Sequence, residues 1–110
     1  MKLYVAGPMR GKSLYNFPAF HEAAAALRLK GHTVINPAEM DVEAGQDPNV
    51  VGMLPMPVYL KRDLLALLDC DGIVLLPGWS YSAGASLELR VAGVAGLKVF
   101  FYETSLIPWA

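Results

Sequence analysis

A hydroxyl and a carboxylate stand six residues apart in residues 80–88, Ser-Tyr-Ser-Ala-Gly-Ala-Ser-Leu-Glu, which follow an apolar run at 72–77. The run predicts a buried strand, and the small residues predict a turn that opens a helix. Ser82 would then lie at the mouth of this helix and Glu88 about two turns into it. Strand ends of parallel sheets face ligands, and helix N-termini favour anions. The segment therefore predicts a site for a small, negatively charged molecule.

The same segment has a plainer interpretation. A Glu in the second turn of a helix is most often a solvated surface residue, and Ser82 is first of all a candidate helix cap. Against this, Gly84, Ala85 and Ala92 make the helix face around Glu88 small. Small neighbours leave space for a ligand beside the carboxylate, so both interpretations stay open.

A second segment that could bind a ligand is residues 7–13, Gly-Pro-Met-Arg-Gly-Lys-Ser. Gly7 and Gly11 would let the backbone approach a ligand closely, and Arg10 can hold a phosphate through its planar guanidinium. The pattern is neither a Walker loop nor a Gly-x-Gly-x-x-Gly fingerprint. A plain surface turn is the other interpretation of this loop.

The elements that position these segments alternate along the chain. The pattern predicts strands at 2–6, 32–35, 73–76 and 97–102, helices at 17–30, 56–68 and 83–95, and a loop with at most a helical turn at 38–56. Such alternation is typical of an α/β protein with helices on both faces of a parallel sheet. We expect a flavodoxin/Rossmann-like three-layer sandwich with strand order 2-1-3-4. The crevice would lie between the carboxyl ends of strands 1 and 3.

Composition narrows the classes of partner. The chain has 110 residues, which suits one domain, and its net charge of −1 gives no basis for binding nucleic acid or a membrane surface. Hydrophobic residues make up 55% and charged residues only 17%, which predicts buried contacts in a homodimer or higher homo-oligomer.

Cysteine and histidine are scarce. Cys70 is the only cysteine and there are two histidines, so we expect no disulfide, no metal site and no cofactor. The first seven residues are too short and too soon interrupted by Gly7-Pro8 for a signal peptide, and no apolar run reaches membrane-spanning length. These features favour a cytoplasmic location.

Several short motifs, spread over residues 2–102, occur together in one family. They are Gly7-Pro8-Met9-Arg10-Gly11, Asn16-Phe17-Pro18-Ala19-Phe20, Asn36-Pro37, Arg62-Asp63, Asp71, Leu76-Pro77-Gly78-Trp79 and Ser82-x-Gly84-Ala85-x-x-Glu88. In these the chain resembles a small phage-type family that is nucleoside 2-deoxyribosyltransferase-like. That family is in turn similar to the 2′-deoxynucleoside 5′-phosphate N-hydrolases.

The resemblance implies cleavage or transfer at an N-glycosidic bond. Glu88 would be the nucleophile that forms a covalent deoxyribosyl intermediate, Asp63 would hydrogen-bond or protonate the leaving base, and Tyr4 would orient the nucleophile. A carboxylate suits an oxocarbenium-like centre, and the helix N-terminus should help to keep it ionised. The predicted substrate-binding residues are Gly7, Met9, Arg10, Gly11, Asp71, Trp79, Ser82 and Gly84.

Ser82 bears on the substrate. The resemblance implies that an acidic residue stands here in the transferases of free nucleosides, whereas the nucleotide hydrolases have a Ser that can contact a 5′-phosphate. Together with Arg10-Gly11, this favours a deoxynucleoside 5′-monophosphate. Asp71 is carried over as a support residue, although an Asp before a strand is by default a turn former. Trp79 could cover a planar ligand, and Asp63 could instead be a surface charge.

Two further alternatives remain at this stage. The same crevice could bind a nucleotide without turning it over, or the protein could be a structural or interaction module. The related enzymes continue past the fourth strand with a segment that completes a neighbour's active site. Here residues 103–110 would either do this across a dimer interface or leave the site more open.

Overall fold

A computed structural model describes residues 1–45 and 56–102, and these form a four-stranded parallel sheet between helices. The strand order is β2-β1-β3-β4, which confirms the predicted flavodoxin-like α/β architecture. The strands are β1 (Lys2–Ala6), β2 (Thr33–Ile35), β3 (Gly72–Leu75) and β4 (Lys98–Phe101). The helices are α1 (Phe17–Leu29), α2 (Pro37–Glu43), α3 (Met56–Leu68) and α4 (Ala83–Val94).

The two central strands are buried on both faces. Leu3 of β1 pairs with Gly72 of β3, and Ala6 pairs with Leu75, so the two strands end at the same edge. Since side chains alternate along a strand, β1 presents its residues to two separate cores. One core contains α1, and the other contains α3 and α4. This alternation places Tyr4 on the α3–α4 face.

Helix α1 packs on one face of the sheet through small residues. Ala23 and Ala24 are fully buried between Phe20 and Leu27, so the helix can approach the sheet closely. The helix ends one residue before the predicted boundary, and Gly31 follows with φ +91°. Glycine adopts this left-handed conformation without steric cost, which ends the helix where the sequence indicated.

Two parts of the predicted pattern are wrong. The segment after β2 forms the helix α2 rather than a loop, because the Asn36 side chain accepts a hydrogen bond from the Ala38 amide at 2.9 Å and caps it. The helical spacing of Leu60, Leu64, Leu67 and Leu68 predicts that they form one buried apolar stripe of α3. Leu67 is buried as expected, but Leu68 is 52% exposed. The rest of the predicted 38–56 loop, residues 46–55, and the tail at 103–110 lie outside the described residues.

Two short 3-10 helices lie beside the predicted site, at Ser13–Asn16 and Trp79–Tyr81. In the first, Leu14, Tyr15 and Asn16 all have left-handed φ values of 50°, 50° and 61°. The Asn16 side chain donates a hydrogen bond to the Pro8 carbonyl at 2.8 Å and so holds the preceding loop in place. Within residues 1–45 and 56–102, no helix is long and apolar enough to span a membrane.

Gly7 fixes how closely the loop after β1 approaches β3. A Cβ atom at this position would lie 2.8 Å from the Leu76 Cβ, which is closer than packed carbon atoms tolerate. The Leu76 amide donates to the Ala6 carbonyl at 2.8 Å, so the neighbouring backbone is held and cannot easily move aside.

We therefore expect Gly7→Ala to lower the free energy of unfolding by about 1–3 kcal/mol in urea titrations, because the added methyl overpacks a fixed contact. Gly93→Ala is the matched control, since nothing lies within 4 Å of its added Cβ. In helix α4 this control should raise stability by up to about 1 kcal/mol. Equal effects of the two substitutions would contradict the steric explanation.

Candidate active site

A cavity of about 200 Å³ opens where the chain leaves the carboxyl ends of β1 and β3. This is the place that the strand order predicts, because the connections from the two central strands diverge there. Its walls are residues 4–10 from β1 and its loop, residues 81–85 and Glu88 from the turn into α4, and Phe20, Pro37, Asp41, Tyr59 and Asp63. The fold thus joins two loops about 70 residues apart in sequence.

Glu88 and Tyr4 form the buried centre of this cavity. Glu88 is only 7% exposed, and Tyr4 is fully buried. The Tyr4 hydroxyl donates a hydrogen bond to Glu88 Oε2. The small residues Gly84 and Ala85 line the same wall, so the carboxyl group is reachable from the cavity although water has little access to it. The alternative interpretation of Glu88, as a solvated surface residue of the helix, is therefore wrong.

Burial dominates the ionisation of Glu88. Loss of solvent raises the pKa of its carboxyl group to about 8, and the negative charge of Asp63 adds to this, whereas the Tyr4 hydrogen bond and Arg62 lower the pKa. The help that we expect from the helix N-terminus in keeping the group ionised acts against this rise and stays a prediction. The helix dipole acts most strongly in the first turn of α4, and Glu88 lies beyond that turn. The free-energy cost of desolvating the Glu88 carboxylate is therefore larger than the stabilisation that the dipole provides.

Asp63 reaches the cavity from α3 and is held by its neighbour in sequence. Arg62 Nε donates to Asp63 Oδ1 at 2.9 Å, and Arg62 Nη2 donates to Asp41 Oδ1 at 2.6 Å. Burial raises the pKa of Asp63 although the Arg62 contact opposes the shift. Asp63 is therefore not a free surface charge. Its buried carboxyl group can hold a proton more readily than an exposed aspartate can.

Sequence reasoning missed three residues of the site, namely Asp41, Tyr59 and Arg62. Burial raises the pKa of Asp41, and the Arg62 ion pair opposes this. The Tyr59 ring lies 6.0 Å from the Arg10 guanidinium and 5.5 Å from that of Arg62, measured to the ring centroid. Tyr59 and Asp63 are four residues apart, so the helical period would have placed both on one face of α3. Asp41 could not be placed without recognising α2.

The loop after β1 contributes Gly7, Met9 and Arg10 to the cavity wall. Gly11, also predicted to bind substrate, is not among the lining residues. Its φ of +79° and the absence of any atom within 4 Å of an added Cβ indicate a turn-forming role. The loop is therefore more than a surface turn, but its second glycine shapes the backbone and does not face the cavity.

Ser82 caps helix α4 and lines the cavity as well. Its Oγ accepts a hydrogen bond from the Ala85 amide at 3.1 Å, which is the arrangement of an N-cap. Ser82 and Gly84 border the cavity at the helix N-terminus. The capping interpretation of Ser82 is correct, and it does not exclude contact with a ligand.

Two predicted site residues lie elsewhere. Asp71 precedes β3 and stands at the amino-terminal edge of the sheet, opposite to the cavity, where its Oδ2 accepts from the Lys2 amide at 2.8 Å. Trp79 packs against Phe101 with ring centroids 6.1 Å apart and joins the α3–α4 core. Neither lines the cavity, so the expected contacts of Asp71 and Trp79 with substrate are corrected to structural roles.

The described part of the chain contains no cluster of side chains with the composition of a metal site. Among residues 1–45 and 56–102, no group of three or more His, Cys, Asp and Glu side chains could hold a metal ion. The cavity itself presents carboxyl, hydroxyl and guanidinium groups.

Residues 1–101 match the family described as "Domain of unknown function (DUF4406)", and the chain belongs to that family. No curated protein matches the sequence. Among solved structures, the chain is similar to a 2-deoxyribosyltransferase from the psychrotolerant bacterium Bacillus psychrosaccharolyticus, with a TM-score of 0.69 and 24% identity. The match covers 98% of this chain and 77% of that one.

A second similar structure is a 2-deoxyribosyltransferase from Leishmania mexicana, with a TM-score of 0.65 and 15% identity. This match covers 94% of the present chain and 65% of the other. At these identities the similarity defines the fold, which is nucleoside deoxyribosyltransferase-like. The family description itself carries no activity.

The raised pKa of Glu88 predicts how stability changes with pH. The folded-state pKa of about 8 lies above the ordinary value of 4.5, so across that interval the folded protein holds one more proton than the unfolded chain. Its stability contribution is therefore lost as pH rises from 4.5 to 8. Glu88→Gln cannot titrate, so its stability relative to the native protein should rise by on the order of a few kcal/mol over this interval.

Thermal unfolding at pH 5, 6.5 and 8.5 would measure this difference. Glu43→Gln is the matched control, because Glu43 is an exposed carboxylate on α2. We expect the control to show no comparable trend. A pH-independent difference between Glu88→Gln and the native protein would contradict the raised pKa.

Proposed function

We propose that the protein cleaves, or transfers a deoxyribosyl group at, the N-glycosidic bond of a deoxynucleoside 5′-monophosphate. The observation that carries the proposal is the buried carboxyl group of Glu88, hydrogen-bonded to Tyr4 and open to a cavity. The fold supports it, because both similar structures are 2-deoxyribosyltransferases. Fold alone does not fix an activity, and the activity proposed here is inferred from the side chains that line the cavity.

The proposed reaction has two steps. Glu88 attacks the anomeric carbon, and a C–O bond forms as the bond from that carbon to the base nitrogen breaks. The electron pair of the broken bond passes to the base, which takes a proton from Asp63. Water, or a second base, then attacks the anomeric carbon and gives its proton to the Asp63 carboxylate, while the bond from that carbon to Glu88 breaks and frees the Glu88 carboxylate. Tyr4 orients the nucleophile through its hydrogen bond.

This mechanism needs Glu88 ionised and Asp63 protonated. Burial raises the pKa of both carboxyl groups, so each can hold the proton that the other lacks. Two such groups in one water-poor site titrate as a coupled pair. Tyr4 and Arg62 lower the pKa of both groups, and Arg62 contacts Asp63 directly, so the proton rests more readily on Glu88. The reactive arrangement, with the charge on Glu88 and the proton on Asp63, is therefore the less populated one of the pair.

The 5′-phosphate would lie at the N-terminus of α4. Ser82 and Gly84 border the cavity there, and Arg10 lines it from the loop after β1. A helix of 12 residues provides amide donors and a favourable dipole for an anion. These features support a nucleotide over a free nucleoside as the substrate.

The nucleophile is tested by incubating the protein with each deoxynucleoside 5′-monophosphate and separating free base and deoxyribose 5-phosphate by chromatography. We expect the native protein to release base, and Glu88→Gln to reduce the rate at least about a thousandfold, as loss of a nucleophile does in other enzymes. Binding of the nucleotide should persist, because the amide keeps the shape of the side chain.

Glu43→Gln serves again as the control and should release base at the native rate, since this carboxylate is exposed on α2. If native protein released no base from any deoxynucleotide or deoxynucleoside, the proposed activity would be wrong. If base were released from nucleosides but not from nucleotides, the proposed cleavage of the N-glycosidic bond would be correct and the proposed 5′-phosphate on the substrate would be wrong.

The phosphate contact is tested at Ser82. Asp is as good a helix cap as Ser, so Ser82→Asp should keep α4 intact while placing a negative charge against the phosphate. We expect its KM for deoxynucleotides to rise about tenfold or more through like-charge repulsion, with little change for deoxynucleosides. Ser82→Asn, a neutral cap of the same shape, is the control. Equal KM values for the Asp and Asn variants would count against a phosphate at this helix.

One observation favours a second candidate function. A carboxyl group with a pKa of about 8 is largely protonated at neutral pH, and a protonated Glu88 cannot act as a nucleophile. This fits a module that binds a nucleotide without cleaving it. The chromatographic assay separates the two functions, because such a module would bind deoxynucleotides in calorimetry and release no base at any pH.

A further inference from the structure

Asp41 has an unsatisfied oxygen that the proposed mechanism does not use. Its side chain is 1% exposed and lines the cavity. Oδ1 accepts from Arg62 Nη2 at 2.6 Å. Oδ2 has no hydrogen-bond partner within the part of the chain that the structure describes.

A buried carboxylate oxygen without a donor is unusual. Burial removes its water, and the lost hydrogen bonds cost more than a typical bond contributes. Most buried polar atoms in native proteins have a partner, so each exception calls for an explanation. Asp41 borders a cavity, which makes a donor on a bound ligand the simplest partner.

The position of Asp41 indicates which part of a nucleotide would supply that donor. Arg62 contacts both Asp41 and Asp63, so the two carboxyl groups lie on the same side of the cavity. Asp63 is the residue proposed to protonate the leaving base. Ligand atoms near Asp41 would therefore belong to the base, whereas the phosphate would lie toward Ser82.

We propose that Asp41 Oδ2 accepts a hydrogen bond from an exocyclic amino group of the nucleobase, so that the site selects adenine, cytosine or guanine over thymine and uracil. The proposal rests on the proposed function for the orientation of the nucleotide. Cytosine offers an amino donor where uracil has a carbonyl acceptor. Two acceptors facing each other in a dry site repel, so the rejected base would leave Asp41 unpaired.

Asp41→Asn should abolish or reverse this preference. Arg62 can only donate, so the amide oxygen must occupy the place of Oδ1. The amide nitrogen then takes the place of Oδ2 and presents a donor to the cavity. Such a donor matches the carbonyl of uracil and opposes the amino group of cytosine.

The experiment compares dCMP with dUMP, which differ on this edge of the base. Binding is measured by calorimetry in a Glu88→Gln background, where the nucleotide stays intact, and base release is measured with Glu88 present. We expect dCMP to bind about tenfold or more tightly than dUMP, the loss typical of an unpaired charged group. Asp41→Asn should bring dUMP to equal or tighter binding. Glu43→Gln, with the same change of charge on α2, should keep the native ratio.

The outcomes distinguish the two proposals. Preferential binding of dCMP without base release supports the Asp41 contact and refutes the proposed activity. Base release with equal binding of dCMP and dUMP, or with dUMP preferred, supports the activity and overturns the Asp41 contact. Binding of neither nucleotide overturns both. The comparison of dCMP with dUMP in protein that keeps Asp41 tests the proposal by itself. It therefore remains decisive even if the Asp41→Asn variant folds poorly.

Discussion

The pairing of β1 with β3 is the constraint on which the site depends. Both strands are buried on both faces, so polar side chains within them are costly unless they find partners. Tyr4 is such a side chain, and its partner Glu88 comes from the helix that follows β3. The register that aligns Ala6 with Leu75 also ends both strands at one edge and opens the cavity there. Fold and site therefore arise from the same pairing.

The electrostatic character of the cavity follows from an imbalance of charge. Three carboxyl groups, those of Asp41, Asp63 and Glu88, share this water-poor region with the Arg62 guanidinium, and Arg10 lines it from the loop after β1. Arg62 can compensate only part of the negative charge, and it contacts the two aspartates directly. Burial raises the pKa of all three carboxyl groups, and it raises that of Glu88, which has a hydroxyl donor and no direct cation contact, to about 8. Such a site retains protons near neutral pH, which is what general acid chemistry requires.

The sequence was sufficient for the fold and for the centre of the site. Strong alternation of apolar strands and helices predicted the sheet order, and the small residues around Glu88 indicated a ligand. Asp41 was missed because a seven-residue helix leaves too short a periodic signal, although Asn36-Pro37 marks its beginning. Asp71 was wrongly assigned to the substrate site because the assignment rested on residue type alone. Asp71 precedes β3 and lies at its amino-terminal end, whereas the cavity is at the carboxyl end. The predicted oligomeric state stays a prediction.

Ser82 shows how one group can serve the fold and a ligand together. Its Oγ accepts a hydrogen bond from the Ala85 amide through one lone pair, so the hydroxyl group can still donate a hydrogen bond of its own. A phosphate oxygen could accept a hydrogen bond from this hydroxyl without disturbing the cap. Asp and Asn would cap the helix equally well, so helix stability gives no reason to prefer Ser at this position. The Asp side chain would add charge and supply no donor. A hydroxyl would meet both the structural requirement and that of the proposed anion, so the residue that caps α4 also bears on the proposed charge of the substrate.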